Sequence, residues 1–243
     1  MQGRTAWVTG GASGIGESIV AALAQHGARV AVLDLKSPDP SAPVVSVVDC
    51  DLREESSVVA AAERLRGELG DPAMLVNCAG VSGTAPVAEI ETDRWDLVMA
   101  VNLRGPMLIT RQVVGGMSRA GWGRIVNIAS GQAVRPTAGQ AAYAASKAGL
   151  IALTKATAVE YAGSGVTVNA VAPGMVDTPM TRELWGGEQE LKAAAESSAI
   201  ANPMRALIQP VDVAALVAFL CSDAARYVTG QVLHVNAGSL MPS

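Results

Sequence analysis

The stretch AAYAASKAG, residues 141–149, places a phenol and an ammonium four residues apart in a run of alanines. On a helix, positions i and i+4 share a face, so Tyr143 and Lys147 point the same way. A free phenol titrates near pH 10. An adjacent ammonium favours the phenolate, which suits a group that exchanges a proton with an alcohol or a ketone oxygen near neutral pH. The chain has only three tyrosines, and only Tyr143 has a lysine in this position. The small alanines around the pair leave room for a flat ligand against the helix.

A second chemical stretch opens the chain. The strand-like residues 5–9 run into TGGASGIG, residues 9–16, and then into a helical pattern. Glycines at 10, 14 and 16 permit tight turning and close backbone approach. The helix N-terminus behind them offers free N–H groups and a positive dipole end to a pyrophosphate. Strand, glycine loop and helix together predict a dinucleotide site. About twenty residues on, the second strand ends at Asp34, where an acid accepts the adenosine ribose hydroxyls and repels a 2′-phosphate. Two unit charges about 4 Å apart interact by about 4 kcal/mol at an effective dielectric near 20. NAD is therefore expected rather than NADP, with Lys36 a solvated loop charge.

The elements that position these groups follow from the apolar pattern. Strand-like runs fall at 5–9, 29–35, 44–48, 74–77, 124–128, 166–171 and 232–235. Helical patterns lie between them at 15–26, 54–69, 93–120, 141–161 and 212–220. Continuous Val/Ile/Leu strands alternating with helices predict a doubly wound, Rossmann-like α/β fold: a mostly parallel seven-stranded sheet with helices on both faces. Residues 1–243 are expected to form one domain. The segment 174–210 is polar and irregular, with a short helical piece around 188–197. An excursion of that length predicts a lid over the substrate.

Bulk composition narrows the function. Net charge is −4 and the pI is near 5.2, which disfavours nucleic acid and anionic membrane surfaces as partners. Half the residues are hydrophobic and mean hydropathy is +0.30, yet no apolar run reaches the roughly 18 residues of a membrane span. The strand starting at residue 5 leaves no room for a signal peptide. Cys50, Cys78 and Cys221 fit neither a disulfide framework nor a metal site, so a reducing cytoplasm is expected. His26 and His234 are isolated, and no metal is expected.

Taken together, these motifs resemble the short-chain dehydrogenase/reductase family across essentially the whole chain. TGGASGIG is similar to its cofactor loop, which implies contacts from Gly10, Ser13, Gly14, Ile15 and Gly16. CDLRE, residues 50–54, resembles the adenine-contacting turn, with Asp51 and Leu52 beside the base. VNCAG, residues 76–80, resembles the N-N-A-G segment, with Cys78 in place of the second Asn. It implies cofactor contacts from Asn77, Ala79 and Gly80. VNLRG carries Asn102, matching the catalytic asparagine, and IVNIAS brings Ser130 to a strand end. NAVAPGMVDTPM, residues 169–180, resembles the nicotinamide-side turn, implying contacts from Pro173, Gly174, Val176 and Thr178. In GQVLHVNAG, Asn236 and Ala237 replace a more usual Asp and Gly.

The resemblance implies a catalytic set of Asn102, Ser130, Tyr143 and Lys147. Tyr143 is the acid–base, Lys147 also holds the nicotinamide ribose, and Ser130 donates to the substrate oxygen. Asn102 would supply a break in the helix ladder for a proton relay past Lys147. The implied activity is NAD-dependent interconversion of a secondary alcohol and a ketone. The alternatives are a 3-oxoacyl thioester reductase, which Asp34 disfavours, and a non-catalytic cofactor sensor, which the complete catalytic set disfavours. Gln132, Arg135, Met175, Met180 and Trp185 are expected to line an apolar substrate pocket. Arg135 and Arg182 are candidates to meet an anionic group, and a homotetramer is implied.

Overall fold

The computed structural model describes residues 1–197 and 203–241. Seven strands form one sheet in the order β3-β2-β1-β4-β5-β6-β7: β1 Thr5–Thr9, β2 Arg29–Asp34, β3 Ser46–Asp49, β4 Met74–Asn77, β5 Gly123–Ile128, β6 Val166–Pro173 and β7 Val232–Val235. All six pairings are parallel, so "mostly parallel" understates the order. β1, β4, β5 and β6 are buried along their whole length, as strands covered on both faces must be.

Alternate residues sort onto two cores. Ala6 and Val8 of β1 pack with Ile19 and Leu23 of α1 (Gly14–Gln25) and Val217 of α8 (Pro210–Leu220). Trp7, on the opposite face, packs with Leu65 of α2 (Glu55–Leu69) and Ile109 of α4 (Gly105–Arg119). This period of two is the strand alternation seen from both sides. The long helix expected over 93–120 is three pieces: α3 (Thr92–Met99), a π-helical turn over Ala100–Arg104, and α4. The turn is centred on Asn102, whose side chain leaves the helix to make bonds of its own. α5 spans Ala141–Tyr161.

The segment 174–210 is more regular than its composition implied. α6 (Pro179–Trp185) and α7 (Glu188–Glu196) form a hairpin about Gly186 and Gly187, both with positive φ. Thr178 and Thr181 make a reciprocal cap on α6, and Leu191 and Ala195 are buried. Positions 198–202 of the expected lid lie outside the described residues. Among the described residues, no helix is long and apolar enough to cross a membrane.

Candidate active site

Strand order reverses between β1 and β4, and a cleft of about 550 Å³ opens there at the carboxyl ends of the strands, where such sheets bind ligands. One end is walled by Asp34, Asp51 and Leu52, and the middle by the glycine loop. The far end is walled by Ser130, Tyr143, Lys147 and the turn from Pro173 to Thr178.

Close approach requires the glycines. A methyl group on Gly16 would overlap the Gly10 carbonyl oxygen, and one on Gly10 would sit 2.6 Å from Ala79 Cα. Gly10 and Gly14 have φ of +69° and +57°, which favours glycine. The N–H groups of the first turn of α1 have no carbonyl within the helix to bond. Thr9 Oγ1 accepts from the Cys78 and Ala79 N–H groups at 3.1 and 3.3 Å, tying the loop after β4 to β1. No motif read from the sequence singled out Thr9, although it lies inside TGGASGIG. The Asp34 carboxylate is anchored from both sides. Oδ2 accepts from Ala12 N–H and Oδ1 from Lys36 N–H, each at 3.0 Å. A loop folded too tightly for a Cβ at Gly10 or Gly16, free helix-end N–H groups and a fixed carboxylate at one end fit a dinucleotide lying across the cleft.

At the far end, Ser130 follows β5 by two residues and Tyr143 lies in the first turn of α5. The two converge although they lie thirteen residues apart in the chain. Lys147 is 3% exposed, donates to the Ile128 carbonyl at 2.8 Å, and has its Nζ 5.7 Å from the Tyr143 ring centre. Burial pulls its pKa from 10.5 down to about 8, so the ammonium still prevails at neutral pH. The expectation that this ammonium sets the phenol's titration needs correcting. In the protein alone, burial pushes Tyr143 above 10, and the Ser130 hydroxyl only partly offsets it. Desolvation of the phenolate outweighs an ammonium already engaged by a carbonyl.

Other expected residues sort unevenly. Gly10, Ser13, Gly14, Ile15, Gly16, Asp34, Asp51, Leu52, Ala79, Gly80, Pro173, Gly174, Val176 and Thr178 all border the cleft. Asn77 does not. It is 2% exposed, and its Nδ2 donates to Asn127 Oδ1 at 2.8 Å inside the sheet–helix layer. The alternation of β4 turns it inward, away from the cofactor side. Asn102 is fully buried. Its carboxamide accepts from Val81 N–H at 2.9 Å and donates to the Val81 carbonyl and Ser146 Oγ. The π-helical turn supplies the expected break in the ladder, but its side chain clamps the loop after β4 rather than bordering the cleft.

Of the five expected substrate residues, only Met180 borders the cleft. Gln132 Oε1 is taken by Thr137 N–H and Oγ1, Arg135 is exposed, Met175 gives its carbonyl to Ile208 N–H, and Trp185 ends α6. Arg182 is not a free anion receptor. It pairs with Asp177 at 2.6 and 3.0 Å and with Glu188 at 3.4 Å. Val81, Leu97 and Val101 border the cleft without having been expected; they carry no chemical signature in the sequence.

Comparison with known proteins agrees with this geometry. The family profile described as enoyl-(acyl carrier protein) reductase matches residues 10–239. A 3-oxoacyl-(acyl-carrier-protein) reductase of Pseudomonas aeruginosa is 37% identical, covering 99% of each chain. A D-threitol dehydrogenase of Mycolicibacterium smegmatis is 36% identical over 98% of this chain and 93% of its own. The crystal structure of a 3-ketoacyl-(acyl-carrier-protein) reductase from Brucella melitensis complexed with NADH superposes with a TM-score of 0.88 at 30% identity, covering 99% of both chains. The chain belongs to the short-chain dehydrogenase/reductase family and is an oxidoreductase.

Proposed function

We propose that this chain interconverts a secondary alcohol and a ketone with NAD(H) as the preferred cofactor. The observation that carries the reading is the convergence of Ser130, Tyr143 and Lys147 on the cleft wall opposite Asp34. The bound nicotinamide supplies and accepts the hydride. In ketone reduction, Tyr143 donates its phenolic proton to the substrate oxygen, and its raised pKa keeps that proton available. Ser130 donates a hydrogen bond to the same oxygen, where negative charge develops. Lys147, still an ammonium below about pH 8, lies on the Tyr143 face of α5 and offsets the charge left on the phenolate. Asn102 acts by holding the loop after β4.

The preference for NAD(H) rests on Asp34. Its carboxylate is held by two backbone N–H groups at the adenosine end, so it cannot swing away from a 2′-phosphate, and burying two anions together is costly. The NADH complex of the Brucella reductase is in keeping with this. A 3-oxoacyl thioester reductase is the second reading, favoured by the name of the Pseudomonas relative, while the threitol relative favours the first.

The α6–α7 hairpin is read as a lid over the substrate, with Met180 as its contribution to the cleft wall. Assembly is read as a homotetramer through α4 and α5. The unpaired thiols, of which Cys50 and Cys221 are buried, favour a cytoplasmic setting. The test is a panel of ketones, secondary alcohols and acetoacetyl-CoA followed by nicotinamide absorbance with both cofactors. Turnover of a ketone with kcat/KM at least about tenfold higher for NADH than NADPH is expected, since 1.4 kcal/mol already gives that factor. Equal values, or preference for NADPH, refute the cofactor assignment. Turnover of the thioester alone selects the second reading.

A further inference from the structure

α5 carries Tyr143 and Lys147, yet its own packing does little to fix its height on the sheet. Among its buried residues only Leu150 is a large apolar side chain; apart from Lys147 the rest are Ala, Ser and Thr. Small side chains make shallow ridges, and apart from Leu103 seated at Gly149 and Ile151 they offer few steric stops to sliding or rotation. Directional bonds must supply the register. Two have been described already, from Asn102 to Ser146 and from Lys147 to the Ile128 carbonyl.

A third lies outside the cleft. Asn127 of β5 donates from Nδ2 to Thr154 Oγ1 at 2.8 Å. Thr154 passes its own proton to the Leu150 carbonyl at 2.7 Å. Asn127 Oδ1 accepts from Asn77 at 2.8 Å, its partner across the β4–β5 register. Asn77 also reaches Thr110 of α4 at 3.4 Å. Asn77, Asn127 and Thr154 are at most 2% exposed. At 100° per residue, Thr154 falls on the same stripe of α5 as Tyr143 and Lys147, within about 40°. A buried polar chain of this kind contributes little net stability beyond an apolar one of the same shape. What it adds is a single permitted alignment.

We propose that the Asn77–Asn127–Thr154 chain is a register pin that positions α5, and with it Tyr143 and Lys147, against Ser130 at the end of the same strand β5. These are positioning residues; none touches the cleft. The proposal rests on the reading of Tyr143 as the acid–base.

The test reads Tyr143 directly. With only three tyrosines in the chain, carbon-13 at tyrosine Cζ gives three NMR resonances, and Tyr143→Phe assigns the one of interest. Its pH titration is followed alongside kcat for NADH-dependent reduction of ethyl acetoacetate and acetoacetyl-CoA. Thr154→Val keeps the shape and removes the hydroxyl. It is expected to move the Tyr143 titration by about 0.5 pH unit or more, leave Tyr161 and Tyr227 unmoved, and lower kcat at least about tenfold, as a misplaced reacting group does. Thr154→Ser is expected to rescue both. The Asn77→Leu/Asn127→Leu/Thr154→Val triple variant removes all three members, so no carboxamide of the chain is left orphaned. It is expected to regain melting temperature without regaining the Tyr143 titration, and it carries the test if the single variant does not fold. A Thr154→Val titration that overlays the wild type overturns the proposal. So does a triple variant that recovers titration and melting temperature together. Wild-type enzyme inactive on both probes but active on another ketone of the panel moves the kcat readout to that ketone; inactive throughout the panel, it refutes the reaction reading instead, and the NMR comparison still decides the pin.

Discussion

Replacing Lys147 with methionine should stabilise the protein while abolishing turnover. The ammonium is 3% exposed, and among the described residues its hydrogen-bond partner is the Ile128 carbonyl. Burial brings its pKa from 10.5 to about 8. A depression of that size corresponds to roughly 3 kcal/mol of destabilisation at pH 7, where folded and unfolded chains both carry the proton. The sign follows from proton counting. Between about pH 8 and 10.5 the unfolded chain binds more protons than the folded one, so stability rises with pH and the penalty fades to about 1 kcal/mol at pH 10. Lys147→Met keeps an unbranched side chain one atom shorter and removes the charge, at a cost of about 1–2 kcal/mol for the orphaned Ile128 carbonyl. The net expectation is a gain of about 1–2 kcal/mol at pH 7 that shrinks or reverses near pH 10. Urea denaturation of both proteins without cofactor, at pH 7 and pH 9.5, measures it. A variant less stable than wild type at pH 7, or a difference unchanged between the two pH values, would show that Lys147 is not a strained buried ammonium.

Other outcomes test the cleft. Tyr143→Phe should lower kcat at least about 100-fold while NADH still quenches or shifts tryptophan fluorescence, and Ser130→Ala should cost a similar order; near-full activity in either removes that residue from the reaction. Gly16→Ala should abolish NADH binding by isothermal titration, because its Cβ meets the Gly10 carbonyl and pushes the loop out of shape. Asp34→Ser, which keeps a small acceptor without the charge, should narrow the NADH-to-NADPH ratio of kcat/KM by about tenfold or more. For the lid, NADH with a substrate analogue should slow amide exchange in 178–197 more than in the sheet strands; equal exchange with ligand bound leaves a rigid hairpin.

Much of this molecule is governed by local rules, and those parts were legible in the chain. β1, the glycine loop and α1 follow one another without interruption, so a dinucleotide site could be read from TGGASGIG alone. Asp34 ends a strand paired directly with β1, so its reach to the same loop follows from adjacency. Tyr143 and Lys147 share a helix face because 3.6 residues make a turn. The strands were recognisable because burial on both faces demands unbroken apolar runs. What the sequence alone could not determine depends on which groups meet across elements. Asn77 was expected to contact the cofactor and Asn127 carried no expectation, and only the β4–β5 register turns them into a pair. Asn102 was expected to break the helix ladder, but its partners Val81 and Ser146 are set only by the fold. Arg182 read as a free cation until the fold set Asp177 and Glu188 against it. The titration of Tyr143 was read from its nearest charge, yet it is decided by the whole shell of atoms that excludes water from the phenol. Desolvation sums over neighbours brought in from every part of the chain, and no spacing within one helix encodes it.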